Sequence, residues 1–220
     1  MGLSIEVGIL ADLIENDEEG AAHCRQEFAT LNKYLASVHL PQHSEPEKVR
    51  VWSTSMFGYS GLHYLRRIAA HLDASGKLPE PGDTNSAQDP MLVHYGADFP
   101  GPNPLKPFGA YDHLIIHSDA EGYYLPQDFP CVLFPGEHYP VAGGMVGSSP
   151  QLLKECKRVA DALKLPLDLD PESDEVHAAT QAQGSGDVLW KRYGVESFSC
   201  LRLYVAAAHS TKTGAAIVFT

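Results

Sequence analysis

The sequence predicts an α+β fold in a single domain (residues 1–220), with a mostly antiparallel sheet, about four helices packed on it and a long Pro/Gly-rich loop. Three observations lead to this prediction. The 220 residues are 44% hydrophobic, which is enough for a substantial core. Four segments show helical periodicity, and one segment near the middle of the chain has the pattern of a β-hairpin, which indicates antiparallel pairing.

The spacing of apolar residues in the N-terminal third of the chain predicts a strand and two helices. Apolar and polar residues alternate from Leu3 to Ile9, as in an opening strand. A helix is expected to begin near Asn16 or Asp17, where acids in the first turn suit the helix dipole, and to end before Pro41. A second helix is expected over residues 60–72, with Gly76 after it. The buried stripe of the first helix comprises Cys24, Phe28, Leu31, Leu35 and Val38.

Residues 76–109 predict a long loop or insertion. They contain seven prolines and five glycines, a spacing in which long helices do not survive. Only residues 91–95 have the pattern of a short strand. The segment is interpreted either as a lid over a site or as a mobile surface insertion.

The central hairpin is expected between residues 113 and 125. Residues 113–117 form one predicted strand, residues 119–122 the turn and residues 123–125 the returning strand, with Gly122 at the left-handed position of the turn. Residues 131–134 predict a further strand between two prolines.

The C-terminal third predicts two helices and a last strand. Ser149 is the expected N-cap of a helix that has Pro150 at its first position and ends at Pro166. The final helix is expected over residues 195–210, and residues 215–219 form a buried strand. The acidic run 168–175 lacks the glycine and the bidentate glutamate of a calcium loop, so it is interpreted as a solvated linker.

Charge and cysteine usage limit the class of partner and the compartment. A net charge of −12 disfavours binding to nucleic acid or to anionic membranes and favours partners with a basic surface, although it also keeps a protein soluble without any partner. The four cysteines form no CxxC pair, and three lie on predicted helix core faces. Reduced, buried cysteines in a cytoplasmic protein are therefore expected.

The hairpin is the predicted functional site, because it combines histidines, acids and tyrosines. The leading interpretation is a non-catalytic, macromolecule-binding protein, immunity- or inhibitor-like, with a basic protein partner and with no cofactor, nucleic acid or membrane. Tyr123 and Tyr124 should point to opposite faces, so one should be buried and the other should contact the partner. The predicted binding residues are His117, Asp119, Glu121, Tyr123 and Tyr124.

The alternative is a small metal-dependent hydrolase that uses the same hairpin under the 76–109 loop. His117, Asp119 and Glu121 would then do the chemistry. A metal would be held by His113, His117 and Asp119, which share one face of the predicted strand. This set needs ligands from a second element, since the residues at the hairpin do not complete a coordination shell.

Overall fold

A computed structural model describes residues 3–81, 85–101, 106–118 and 121–219, with only the backbone described at position 59. The strands are β1 (Ser4–Val7), β2 (Trp52–Ser55), β3 (Tyr123–Leu125), β4 (Val146–Ser148) and β5 (Ile217–Phe219). The helices of this described part are α1 (Ile9–Asn16), α2 (Glu18–Ser37), α3 (Gly58–Ser75), α4 (Pro90–Asp98), α5 (Asp112–Ile115), α6 (Ser149–Leu163), α7 (Asp174–Gln181), α8 (Leu189–Arg192) and α9 (Gly194–Thr213).

The five strands form one mixed sheet in the order β2-β1-β5-β3-β4. β1 pairs antiparallel with β2 and β5, and β3 pairs antiparallel with β5, but β3 and β4 run parallel. The fold is α+β, whereas the prediction of about four helices on a mostly antiparallel sheet is wrong. The short helices were missed because each spans one or two turns, too few to show a period.

Helices cover both faces of the sheet. Ile5 and Val7 of β1, together with Leu3 just before the strand, pack in a core with residues of α3, α6 and α9 on one face of the sheet. The opposite face is covered by α2, whose apolar stripe packs against β3, β4 and Ala216. Successive strand residues point to opposite faces, so Tyr123 joins the α2 side and Tyr124 joins the other side.

The prediction of the long N-terminal helix is confirmed by α2. Asp17 is its N-cap, and its carboxylate accepts a hydrogen bond from the Gly20 N–H at 3.0 Å. Glu18 and Glu19 occupy the first turn, where the positive end of the helix dipole favours them. The predicted second, third and last helices are also present as α3, α6 and α9, although the N-cap of α6 is Ser148 and not Ser149.

The prediction that residues 76–109 form a loop is wrong over Pro90–Asp98, which fold as α4. Asp89 caps this helix by accepting from the Met91 N–H, and Pro90 stands in its first turn. The same carboxylate accepts from Arg67 Nε at 2.9 Å and lies 3.0 Å from His71 Nε2, both in α3. These contacts fasten the segment to α3, and the strand predicted over residues 91–95 is helical.

The predicted central hairpin is also wrong. Residues 112–115 form the short helix α5, because the Asp112 carboxylate accepts from the N–H groups of Phe108 and Gly109 and from the Tyr95 hydroxyl. β3 does form, but its partners are β4 and β5, which lie later in the chain. Of the strand predicted over residues 131–134, only a single bridge between Leu133 and Val146 is present.

All four cysteines are buried and free, as the sequence predicted. None of the helices in the described ranges has the length and apolar character needed to span a bilayer.

Candidate functional site: an acidic band across the sheet edge

The first of two acidic surfaces lies where α1 meets α2. The chain has no lysine or arginine before Arg25. The acids of this region cluster at the end of α1 and the first turn of α2, and all except Asp12 are exposed. They are Asp12, Glu15, Asp17, Glu18 and Glu19.

The second acidic surface is formed by the segment before α7 and by the first turn of that helix. No lysine or arginine occurs between Lys164 and Lys191. The acids of this segment are all exposed, and they are Asp168, Asp170, Glu172, Asp174 and Glu175.

One half-buried acid, Glu6, lies close to a member of each surface. Glu6 of β1 and Glu172 both line a cleft of about 650 Å³ beside β2. Burial and the neighbouring charge of Asp12 raise the pKa of Glu6, which places Glu6 close to the first surface as well. We refer to the two surfaces and Glu6 together as the acidic band: Glu6, Asp12, Glu15, Asp17, Glu18, Glu19, Asp168, Asp170, Glu172, Asp174 and Glu175.

Two members of the acidic band make ion pairs with basic side chains. Glu175 lies 3.0 Å from Lys191, and Glu172 lies 3.0 Å from Arg202, which is buried in α9. An excess of acids over cations is thus left at the surface, and it produces a strong negative potential.

The structure places the predicted site residues mostly in the interior. Tyr123 and Tyr124 are 3% and 2% exposed, because both faces of the sheet are covered. Their hydroxyls donate to Glu27 Oε2 at 2.7 Å and to the His113 carbonyl at 2.8 Å. The expectation that one of the two tyrosines is available to a partner is therefore wrong.

The remaining members of the predicted site differ in accessibility. His113 and His117 are each 1% exposed. Glu121 is exposed, and its Oε2 accepts from the Gly143 N–H at 3.1 Å. Asp119 lies outside the described residues.

Three of the four ring nitrogens of His113 and His117 lie within hydrogen-bond distance of backbone groups. The Nδ1 and Nε2 atoms of His117 lie 3.1 and 3.0 Å from the carbonyl oxygens of Ser118 and Tyr123. His113 Nδ1 accepts from the Ser148 N–H at 3.0 Å. Within the described residues, no group of three or more His, Cys, Asp or Glu side chains is arranged to hold a metal ion.

Three buried titratable groups surround α5. Glu155 accepts the N–H groups of His113 and Leu114 at 3.1 and 2.7 Å, and burial raises its pKa from 4.5 to about 8. Burial lowers the pKa of His113 from 6.5 to about 3 and that of His117 from 6.5 to about 4. The folded protein thus resists ionising any of the three.

We expect the free energy of unfolding to be highest near pH 6.5. Above this pH, folded Glu155 keeps a proton that the unfolded chain releases, so stability falls towards pH 8. Below this pH, the unfolded chain binds protons at His113 and His117 that the folded chain does not bind. These two protons exceed the one proton that Glu155 adds to the folded state, so the free energy of unfolding also falls as the pH is lowered. Urea unfolding from about pH 5 to about pH 8.5 measures this curve. Glu155→Gln should flatten its alkaline side, and a stability that rises steadily to pH 8 contradicts the prediction.

A family model matches residues 1–219 and is described as "Putative DNA-mimic protein". The chain belongs to this family. Comparisons with curated proteins and with solved structures found no match.

Membership of the DNA-mimic family corrects the functional interpretation of the sequence. The immunity- or inhibitor-like description is overturned, because the family is described by mimicry of DNA, and nothing supports the hydrolase alternative. The partner prediction, which left nucleic acid out altogether, is corrected, since a DNA mimic implies a partner that itself binds DNA. A protein partner with a basic surface remains compatible with this family.

Sequence reasoning missed the acidic band. The run 168–175 was interpreted as a linker, and the acids near residue 17 were interpreted only as helix-starting residues. Four stretches of more than twenty residues contain acids but neither lysine nor arginine (1–24, 78–105, 107–153 and 165–190), so the distribution of cations along the chain does not by itself single out the acidic band.

Proposed function

We propose that this chain is a DNA mimic, which binds a DNA-binding protein at the surface where that protein would bind DNA. The observation that carries this proposal is the family match over residues 1–219. The acidic band supports it, because it provides a concentrated negative surface on a chain of net charge −12.

The chemistry of the band suits such a partner. DNA-binding proteins position themselves with lysine and arginine side chains on phosphate oxygens. Carboxylates accept the same charge-assisted hydrogen bonds, and arginine pairs with them in a bidentate manner. The negative potential of the band would also steer a basic partner and speed its association.

The proposed function bears on location. We infer a cytoplasmic, or more broadly intracellular, location, because DNA-binding proteins act there.

One residue of the predicted turn is accessible to a partner. Glu121 is exposed and lies near Gly143, and its contribution to partner binding stays a prediction. The buried His117, Tyr123 and Tyr124 would support that turn from beneath.

Competition with DNA tests the proposal. The purified chain is immobilised and exposed to a nuclease-treated extract, and captured proteins are challenged with duplex DNA and, separately, with an uncharged polymer. We expect duplex DNA to release the partner and the polymer to leave it bound, because DNA and the chain compete for one surface. The released protein should itself bind duplex DNA.

Salt and charge provide the controls. Binding should weaken steeply as salt rises, since ion pairs dominate such an interface. A partner that stays bound in excess duplex DNA, or one that has no affinity for DNA, would contradict the proposed function.

A further inference from the structure

A buried arginine lies beneath the acidic band. Arg202 is 1% exposed, and its guanidinium carbon is 3.4 Å from the centre of the Phe198 ring. Its Nε donates to Thr54 Oγ1 at 3.1 Å, and its Nη2 donates to Glu172 Oε1 at 3.0 Å. Thr54 Oγ1 donates to the same Glu172 oxygen at 2.6 Å. These bonds connect β2, α9 and the acidic segment before α7.

Glu172 is nevertheless still at the surface. Its side chain is 57% exposed, although Oε1 receives two hydrogen bonds. Its Oε2 lies 3.6 Å from His177 Nε2, within ion-pair distance of that exposed imidazole. Its N–H donates to Asp170 Oδ1 at 3.0 Å, so the backbone at Glu172 is also held. Oε1 is thus fixed by two hydrogen bonds, whereas Oε2 lies beside the exposed His177 and remains at the surface.

Charge alone does not explain this arginine. Burying a guanidinium costs desolvation, and its ion pair only offsets that cost. A surface that needed negative charge and nothing more would be stronger without a cation beneath it. What Arg202 supplies is a defined position for Glu172, because its guanidinium has fixed geometry and is itself clamped by Phe198 and Thr54.

We propose that Arg202 is a positioning residue of the DNA-mimic surface: with Thr54, it fixes the Glu172 carboxylate where an arginine or lysine of the partner would otherwise meet a DNA phosphate. This inference rests on the proposed function. Phosphates are held by the DNA backbone, whereas a free glutamate loses side-chain freedom on binding, and a carboxylate fixed in advance avoids that loss.

The direction in which the affinity changes when Arg202 is replaced distinguishes positioning from electrostatics. Arg202→Met removes a positive charge, so electrostatics alone predicts tighter binding to a basic partner. Positioning predicts weaker binding, by about fivefold for one side chain that must be immobilised. Lys212→Met is the matched control, because it removes the same charge from an exposed site in the same helix. Thr54→Val changes no charge, removes two of the bonds and should also weaken binding.

The test uses the full chain and a fluorescent dodeca-arginine peptide as the basic probe. We expect Arg202→Met and Thr54→Val to bind the peptide about fivefold more weakly than the wild type, and Lys212→Met to bind it at least as tightly. Thr54→Val is nearly isosteric, so it keeps the test valid if Arg202→Met does not fold.

The pH dependence of peptide binding tests positioning directly, because it would not change if Arg202 only stabilised the fold. Partial burial acts to raise the pKa of Glu172, but the hydrogen bond from Thr54, the charge of Arg202 and the neighbouring His177 outweigh it and lower that pKa. Glu172 therefore stays ionised to a lower pH than a glutamate without these partners. In Thr54→Val and Arg202→Met, the acid-side loss of peptide binding should begin at a higher pH than in the wild type.

The outcomes distinguish this inference from the proposed function. If Arg202→Met and Thr54→Val match Lys212→Met in affinity and pH profile, positioning is wrong, and weaker binding by Glu172→Gln would leave the proposed function standing. If neither Glu172→Gln nor neutralisation of other band residues weakens binding, the acidic band is not the binding surface and both proposals are overturned.

Discussion

Replacing Glu15, Glu18 and Glu19 together by glutamine should lower the affinity for the DNA-binding partner on the order of 100-fold. All three are exposed at the end of α1 and the start of α2. Each ion pair with the partner should contribute about 1 kcal/mol, and three such losses give about 3 kcal/mol, or roughly two powers of ten. Titration calorimetry at fixed salt measures the change. Asp17 is left intact, because it caps α2.

The matched control removes the same charge elsewhere. Glu80, Asp98 and Glu137 are exposed acids outside the acidic band, and their replacement by Gln, Asn and Gln takes away three negative charges as well. This variant should lose less than about threefold, through weaker long-range attraction only. Equal losses in the two variants would show that net charge, and not the band, determines binding.

Gly194→Ala should destabilise the fold by about 3 kcal/mol or more. Gly194 is the first residue of α9, and a Cβ atom there would lie 1.9 Å from the Ala179 carbonyl oxygen and 2.4 Å from its carbon. Both atoms belong to the backbone of α7, so no rotamer change relieves the clash and the two helices must separate. Thermal unfolding should show a melting temperature lower by about 6–12 °C.

Gly96→Ala is the control for this substitution. Gly96 lies in α4, and a Cβ atom added there has no neighbour within 4 Å. Alanine is the better helix former, so stability should rise by about 0.5–1 kcal/mol. A Gly194→Ala protein as stable as the wild type would mean that α7 and α9 do not pack as closely as described.

The long amphipathic elements were predictable from the sequence. α2, α3, α6 and α9 each span 15 residues or more, so the helical period of their apolar residues stands out. The burial of Cys24, Cys156 and Cys200 followed from the same periodicity. Local signals also sufficed for the first turn of α2, where Asp17 and the acids after it mark the start of the helix.

The strand pairing and the short helices were not predictable. Residues 123–125 were predicted as a strand and form β3, but its partners β4 and β5 lie later in the chain and supply its hydrogen bonds. The prolines and glycines in and around α4 hid this helix in the sequence. Its N-cap residue, Asp89, is held in place by Arg67 and His71 of α3, and the sequence gives no local sign of these contacts. Long-range contacts of this kind have no local pattern.

The sequence by itself determined the acidic character of this chain, because charge and its order along the chain need no fold. Only the tertiary structure decided that the acidic segment before α7 lies against β2. Glu172 and Thr54 are 118 positions apart and are joined by a hydrogen bond of 2.6 Å across the edge of the sheet. It also decided that Tyr123 and Tyr124 are both buried, because helices cover both faces of their strand.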